Sequence, residues 1–137
     1  MNPPPFILVV DDDAEMLKAM VIALESAGYT VTGQPNANSA LPLLQTAGLG
    51  FDLVITDVSM PGLKGLPFLT ALKTAFPSRP VIVITAFGDW EQYARALNEG
   101  AFEYLTKPID KAELLACVRR ALSGAPPRHS TPPYDAH

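Results

Sequence analysis

The sequence lacks the features that mark secreted, membrane-spanning or nucleic-acid-binding proteins. Its 137 residues include one cysteine, Cys117, which excludes an internal disulfide and favours a reducing compartment, so a cytoplasmic location is expected. No apolar run approaches the roughly 20 residues that cross a bilayer, and no basic region precedes an apolar segment of signal-peptide length. The net charge of −4 argues against direct nucleic-acid binding, which needs clustered Lys and Arg.

The composition is typical of one compact domain. Hydrophobic residues make up 48% and charged residues 18% of the chain, a balance found in ordinary globular proteins. We predict a folded domain over residues 1–123 and a proline-rich flexible tail or linker over residues 124–137, where no core-forming pattern remains. Both histidines, His129 and His137, lie in that tail, and we expect no metal role for them.

Short apolar runs alternate with amphipathic segments along the whole domain. Strands are predicted at residues 6–10, 29–32, 52–56, 80–84 and 102–106. Helices are predicted at residues 13–27, 39–47, 66–76, 90–98 and 111–122. This alternation predicts an α/β fold with a parallel sheet covered on both faces.

Two details of the helices bear on later results. Pro42 lies inside the second predicted helix, which we expect to be short or kinked because proline cannot donate a helical hydrogen bond. In the last predicted helix, the apolar spacing places Leu114 and Val118 on the inner face, so Arg119 and Arg120 are expected to point away from it.

Polar side chains follow four of the predicted strands. Asp11 and Asp12 follow the first strand, Asp57 the third, Thr85 the fourth and Lys107 the fifth. In an open parallel sheet the carboxyl ends of the strands face one crevice, and ligands bind there. Three carboxylates, a hydroxyl and an ammonium in one crevice predict a site for a divalent cation and a phosphoryl group.

These residues belong to four motifs, which occur in the order Asp11-Asp12, Asp57-Val-Ser-Met-Pro-Gly62, Thr85-Ala86 and Lys107-Pro108. In their type and order they resemble the receiver (REC) domain of two-component response regulators, including the chemotaxis-type regulators. The resemblance runs from about Phe6 to Leu122. It implies a doubly wound, flavodoxin-like (βα)5 fold with a five-stranded parallel sheet in the order 2-1-3-4-5.

The resemblance also implies how phosphate is handled. Asp57 would be the phosphoacceptor, supplied by a sensor histidine kinase or a phosphotransfer protein. Mg²⁺ would be the cofactor, held by Asp12, Asp57 and the backbone carbonyl of Ser59, with Asp11 acting through a bound water. Such a domain would not be an enzyme in the usual sense, because it catalyses only its own phosphotransfer and dephosphorylation.

Further residues would bind the phosphoryl group and transmit its presence. By resemblance, Thr85, Ala86 and Lys107 would contact the phosphoryl oxygens, and Tyr104 would rotate together with the Thr85 side chain. The Lys107-Pro108 peptide bond would be cis, which would aim the lysine side chain.

Two residues are expected to set the lifetime of the acyl phosphate. By resemblance, Ser59 and Phe87 lie where a hydrolytic water would be held. Phe87 cannot donate or accept a hydrogen bond, so it would shield the phosphoryl group from water. An equally weighted alternative is that Phe87 points into solvent or towards a partner.

The face made by the predicted helix 90–98, the strand 102–106 and the helix 111–122 is the expected partner surface. Charged residues of both signs, among them Glu91, Arg95 and Lys111, would surround Tyr104 there. Such a mixture suits a phosphorylation-dependent homodimer in which the same patch meets itself.

Two other functions compete with the phosphorylated switch. One is a receiver-like interaction module that is never phosphorylated, which would be favoured if a site residue were missing; none is. The other is a flavodoxin-type cofactor binder. It is disfavoured because Asp11, Asp12 and Asp13 stand where a phosphate-binding loop would be needed and would repel the FMN phosphate.

Overall fold

The computed structural model describes residues 3–47, 50–57, 65–85 and 100–126. These residues contain one parallel sheet in the order β2-β1-β3-β4-β5. Its strands are β1 (Phe6–Val10), β2 (Thr30–Gln34), β3 (Leu53–Asp57), β4 (Val81–Thr85) and β5 (Glu103–Thr106). The predicted fold class and strand order are therefore confirmed.

Four helices cover the sheet within the described residues. They are α1 (Ala14–Ser26), α2 (Ala37–Ala47), α3 (Gly65–Ala75) and the C-terminal helix (Lys111–Ser123). The predicted helix 90–98 lies outside the described residues. Among the described helices, none has the length and apolar character that a membrane span requires.

Side-chain caps set where α1 and the C-terminal helix begin. The Asp13 side chain accepts hydrogen bonds from the backbone N–H groups of Glu15 and Met16, and the Asp110 side chain accepts one from Glu113. Each carboxylate satisfies donors that have no partner within the helix and lies at the positive end of the helix dipole. Both helices therefore start directly after a strand-to-helix loop.

The core consists of two apolar layers, one on each face of the sheet. Along β1, Ile7 and Val9 pack against α1 and the C-terminal helix, whereas Leu8 and Val10 pack against α2 and α3. All four are fully buried. Because both faces are covered, β1 and the first four residues of β4 are continuously apolar, and polar side chains are left for the strand ends.

Two predicted boundaries are wrong by two residues, whereas the other boundaries of the described elements agree within one residue. The second strand was expected at residues 29–32, but β2 extends to Gln34 because its backbone pairs with β1 in register as far as Val10. The second helix was expected from residue 39, but α2 begins at Ala37, after Asn36. The Asn36 side chain accepts a 2.8 Å hydrogen bond from the Ser39 backbone N–H, which starts the helix earlier. Helix α2 spans eleven residues and includes Pro42, so it is not short.

Candidate functional site

The sheet brings three carboxylates together at the carboxyl ends of β1 and β3. Val10 pairs with Thr56 in the parallel register, so Asp11 and Asp57, the next residue in each chain segment, are neighbours. Asp12 follows Asp11 directly, and oxygens of all three carboxylates lie within 4.8 Å of one another. Asp11 and Asp57 are buried and Asp12 is exposed. The site is therefore closed on the sheet side and open on the solvent side.

Lys107 supplies a positive charge to this cluster. It follows β5 directly, and its Nζ lies 2.8 Å from Asp57 Oδ2 and 3.3 Å from both carboxylate oxygens of Asp11. Its side chain is 25% exposed, so the ammonium remains partly hydrated. The Lys107–Pro108 peptide bond is cis, as the resemblance implied.

The environment of Asp11 disfavours its ionised form. Burial raises the pKa of this carboxyl above its usual 3.8, and the neighbouring charge of Asp57 raises it further. The backbone N–H of Asp13, at 2.9 Å from Asp11 Oδ1, and the ammonium of Lys107 oppose this effect without cancelling it. The carboxylates of the site therefore repel one another, and an added cation would reduce this repulsion.

The environment of Lys107, in contrast, favours the charged form of its side chain. Burial by itself lowers the pKa of the ammonium, but the hydrogen bond and the charge of Asp57, together with those of Asp11, raise it above the usual 10.5. Lys107 is therefore charged over the whole physiological range. It can neutralise either a carboxylate or a phosphoryl oxygen.

The carboxylate cluster fits a hard divalent cation. Among the residues that the structure describes, none donates a hydrogen bond to the buried Asp11 Oδ2, although Lys107 lies near it. A buried oxygen without a donor, beside two further carboxylates, is a suitable ligand for Mg²⁺, which takes oxygen ligands and keeps several waters. Asp11, Asp12 and Asp57 are the described residues that could hold such an ion.

The remaining predicted site residues are described only in part. The backbone of Thr85 ends β4 and pairs with Thr106, which places it at the same edge of the sheet as Asp57. Tyr104 lies in β5 opposite Val83 and is 7% exposed. Ser59, Ala86 and Phe87 lie outside the described residues.

One charged pair was not anticipated from the sequence, because Arg120 was expected to point away from the core. Instead Arg120 Nη2 lies 2.7 Å from Glu103 Oε2, and Glu103 is completely buried. A glutamate within the apolar run 102–105 was the signal available in the sequence. A buried acid needs a partner, so this glutamate predicts a basic residue nearby in the fold. The pair lies at the amino end of β5, away from the acidic cluster.

Comparisons with known proteins agree with this geometry. The family model described as the response regulator receiver domain matches residues 7–119. The DNA-binding transcriptional regulator NtrC of Salmonella typhimurium is 40% identical over 117 residues, which are 85% of this chain and 24% of that protein. The C4-dicarboxylate transport transcriptional regulatory protein DctD of Rhizobium meliloti is 36% identical and is matched over 88% of this chain and 26% of its own length. The chain thus spans about a quarter of these relatives.

Solved structures give the same result. A response regulator receiver domain protein from Clostridium thermocellum superposes with a TM-score of 0.83 at 33% identity, covering 88% of this chain and 95% of that one. The chemotaxis protein CheY4 of Vibrio cholerae superposes with a TM-score of 0.80 at 29% identity, covering 87% and 99%. Fold, sequence and site geometry agree, and the chain belongs to the receiver domains of two-component response regulators.

Proposed function

We propose that this receiver domain accepts a phosphoryl group on Asp57 in a reaction that depends on Mg²⁺. The observation that carries the proposal is the position of Asp57, whose Oδ2 lies 2.8 Å from Lys107 Nζ while its carboxylate belongs to a cluster with Asp11 and Asp12. A carboxylate flanked by further acids and one ammonium is arranged to hold a cation and an anionic group side by side.

The donor is a phosphohistidine on a sensor histidine kinase or on a phosphotransfer protein. A carboxylate oxygen of Asp57 attacks phosphorus, the P–N bond breaks, and the imidazole nitrogen leaves with the bonding electron pair. The product is an acyl phosphate on Asp57. Since the residue that reacts is also the residue that carries the product, the domain catalyses only its own phosphorylation and dephosphorylation.

The remaining side chains position and neutralise charge. As the resemblance implies, Asp12, Asp57 and the Ser59 carbonyl would hold Mg²⁺ directly, and Asp11 would act through a bound water. When bound, Mg²⁺ offsets the charge of the carboxylates and of the phosphoryl oxygens. Lys107 moves its contact from the Asp57 carboxylate to the incoming phosphoryl group, because both are anionic and lie within its reach.

The response to phosphorylation follows from the ends of β4 and β5. Thr85 donates a hydrogen bond to the phosphoryl group, the Ala86 backbone N–H donates another, and Tyr104 changes its position in concert. Trp90 lies five residues after Thr85 and reports the change through its emission. A Thr85→Ala variant should blunt the emission change on beryllofluoride binding; an equal response in that variant would remove Thr85 from the switch.

Two features beyond the switch stay part of this proposal. Ser59 and Phe87 set the lifetime of the acyl phosphate, so Phe87→Gln shortens this lifetime if Phe87 shields the phosphoryl group from water.

The face that includes Tyr104 and Lys111 forms a homodimer on phosphorylation. Sedimentation with and without beryllofluoride tests the dimer, and an unchanged monomer at tens of micromolar contradicts it. A cytoplasmic location remains a prediction from the sequence.

The central experiment measures where and when phosphorylation occurs. The protein is incubated with acetyl phosphate and Mg²⁺, and its intact mass is followed over time. We expect the mass of one phosphoryl group to be added to the wild type, and none to Asp57→Asn or in excess EDTA. Asp13→Asn is a matched control, because it removes one carboxylate charge from the loop between β1 and α1, next to the acidic cluster, while asparagine still caps α1.

Either of two outcomes would contradict the proposal. Full modification of Asp57→Asn would place the phosphoryl group elsewhere, and undiminished modification in EDTA would remove the metal requirement. Loss of modification in Asp13→Asn would show that the assay reports general damage to the site rather than the chemistry of Asp57.

A further inference from the structure

A buried ion pair joins β5 to the last turns of the C-terminal helix. Glu103 is 0% exposed, and Arg120 contacts both of its carboxylate oxygens, with Nη2 at 2.7 Å and Nε at 3.3 Å. The Arg120 side chain is 23% exposed. Two parallel contacts between planar groups define both the distance and the angle between strand and helix.

The surroundings of this pair are otherwise apolar. Leu105, Leu114 and Val118 are buried members of the same core layer. The thiol of Cys117, fully buried on the same helix, makes a hydrogen bond with Glu103, and burial, together with Glu103, raises the pKa of that thiol. Well-packed apolar residues of similar volume often stabilise a core as well as a buried ion pair does. What the ion pair adds is directional geometry.

The backbone of Arg120 holds the end of the same helix. Its carbonyl oxygen accepts hydrogen bonds from the N–H of Gly124, from the N–H of Ala125 at 3.1 Å and from the hydroxyl of Ser123 at 3.2 Å. Gly124 has a φ of +77°, a left-handed conformation that glycine adopts without strain and that terminates helices. Arg120 therefore ties the helix end to β5 through its side chain and to the departing chain through its backbone.

The helix does not continue past this point. Pro126 has no N–H group and disfavours a helical conformation at the preceding residue. The direction in which the chain leaves the domain is consequently set by the last helical turn rather than by a longer helix.

The other end of β5 leads into the acidic site. Lys107 directly follows the strand and contacts Asp57, whereas Glu103 begins the strand and contacts Arg120. One strand of four residues thus connects the two ion pairs.

We propose that Glu103 and Arg120 form a latch that holds the exit of the polypeptide chain, at Gly124, in a fixed position relative to β5. The latch makes strand and exit one rigid unit, so that the chain after Gly124 departs from a defined point. This role is independent of phosphoryl transfer and can be tested on the unphosphorylated protein.

The test measures the distribution of distances between a spin label on α1 and a second spin label just after Gly124. Spin labels are attached to Lys18→Cys, on an exposed part of α1, and to Ala125→Cys, which follows Gly124, keeps its backbone N–H group and leaves Pro126 in place. Cys117 is buried and stays unlabelled. We expect a narrow distance distribution by double electron–electron resonance in the parent, and a distribution at least twofold wider in Glu103→Gln.

Three further variants separate the latch from general damage. The double variant Glu103→Leu with Arg120→Leu keeps a packed apolar core and should remain folded, yet its distance distribution should widen as well. This variant tests the proposal even if Glu103→Gln does not fold. Arg120→Lys keeps the charge without the two-point contact and should widen it too. Arg119→Leu removes the same charge from the adjacent exposed position and should leave the width unchanged.

Amide hydrogen exchange provides a label-free measurement. The N–H groups of Gly124 and Ala125 should exchange at least tenfold faster in the double variant than in the wild type, while the amides of β1 keep their protection. A parental distance width and parental exchange at these two amides in a folded latch variant would overturn the proposal. An equal widening in Arg119→Leu would also overturn it, because surface charge alone would then explain the effect.

Discussion

The ammonium of Lys107 lies 2.8 Å from Asp57 Oδ2 and 3.3 Å from the carboxylate oxygens of Asp11. One cation thus contacts two of the three carboxylates that would also hold a metal ion. Lys107 and a bound metal ion would therefore neutralise the same negative charge. Removal of the Lys107 charge should alter the affinity of the site for the metal ion.

Replacement of Lys107 by methionine should tighten Mg²⁺ binding. The variant keeps most of the aliphatic stem but removes a positive charge from the cluster, so the carboxylates exert a stronger field on an added cation. We expect about a tenfold gain in affinity, since tenfold corresponds to about 1.4 kcal/mol and a single charge interaction at this range is of that order or larger. Titration calorimetry measures it.

Phosphorylation by acetyl phosphate should nevertheless become slower in Lys107→Met, because the phosphoryl oxygens lose a partner. Lys111→Met is the matched control, as it removes the same charge from an exposed helical position. Unchanged or weaker Mg²⁺ binding in Lys107→Met would show that the ammonium and the metal do not share the carboxylates.

Replacement of Asp11 by asparagine should raise the free energy of unfolding at neutral pH. Asparagine keeps an oxygen that can accept the Asp13 N–H and removes a charge that the environment disfavours, since burial and Asp57 raise the pKa of Asp11. Urea denaturation without Mg²⁺ measures the change. Asp110→Asn, at the cap of the C-terminal helix, is the control and should have little effect because asparagine also caps helices.

The advantage of Asp11→Asn should depend on pH with a definite sign. A raised pKa means that the folded protein retains the Asp11 proton at pH values where the unfolded chain has released it. Wild-type stability from this group is therefore greatest below the ordinary value of 3.8 and falls as pH rises through the raised pKa. The difference between variant and wild type should grow over that window, and a difference that is constant with pH would contradict the argument.

Addition of Mg²⁺ should stabilise the wild-type protein, and EDTA should remove the effect. A ligand that binds only the folded state adds about 1.4 kcal/mol at ten times its dissociation constant. Thermal unfolding followed by circular dichroism measures the shift. Asp12→Asn should lose most of it, because that exposed carboxylate makes no described contact with Lys107 and is available to the ion. An equal shift in Asp12→Asn would exclude Asp12 as a ligand.

Pro42→Ala should stabilise the protein by about 1–3 kcal/mol. Pro42 is exposed, lies six residues into α2 and cannot donate the hydrogen bond expected at that position. Pro67→Ala is the matched control, because Pro67 is the third residue of α3, where backbone N–H groups have no partner within the helix. Equal effects of the two substitutions in urea denaturation would mean that the position within the helix does not matter.

The local pattern of the chain was enough to predict most elements and the polar residues at their ends. The runs that became β1, β3 and β4 are apolar up to the polar residues that end β3 and β4, which is the pattern of strands buried on both faces. The C-terminal helix was predicted to begin at Lys111 and does so, because Asp110 is a recognisable cap. The boundaries of β2 and α2 were wrong because pairing with β1 and capping by Asn36 decided them.

The strand order came from the family resemblance, since periodicity alone does not distinguish one order of parallel strands from another. Only the tertiary structure could show that Asp11 is buried while Asp12 is exposed, because neighbouring residues in a loop share the same local pattern.

The pairing of Glu103 with Arg120 is likewise visible only in the tertiary structure. The two residues lie 17 positions apart, on a strand and a helix whose relative rotation no local signal specifies. The sequence by itself determined which segments form strands and helices and which polar groups the strands present. Tertiary packing decided which of those groups meet, because distance and orientation between charges depend on register and on how each helix lies against the sheet.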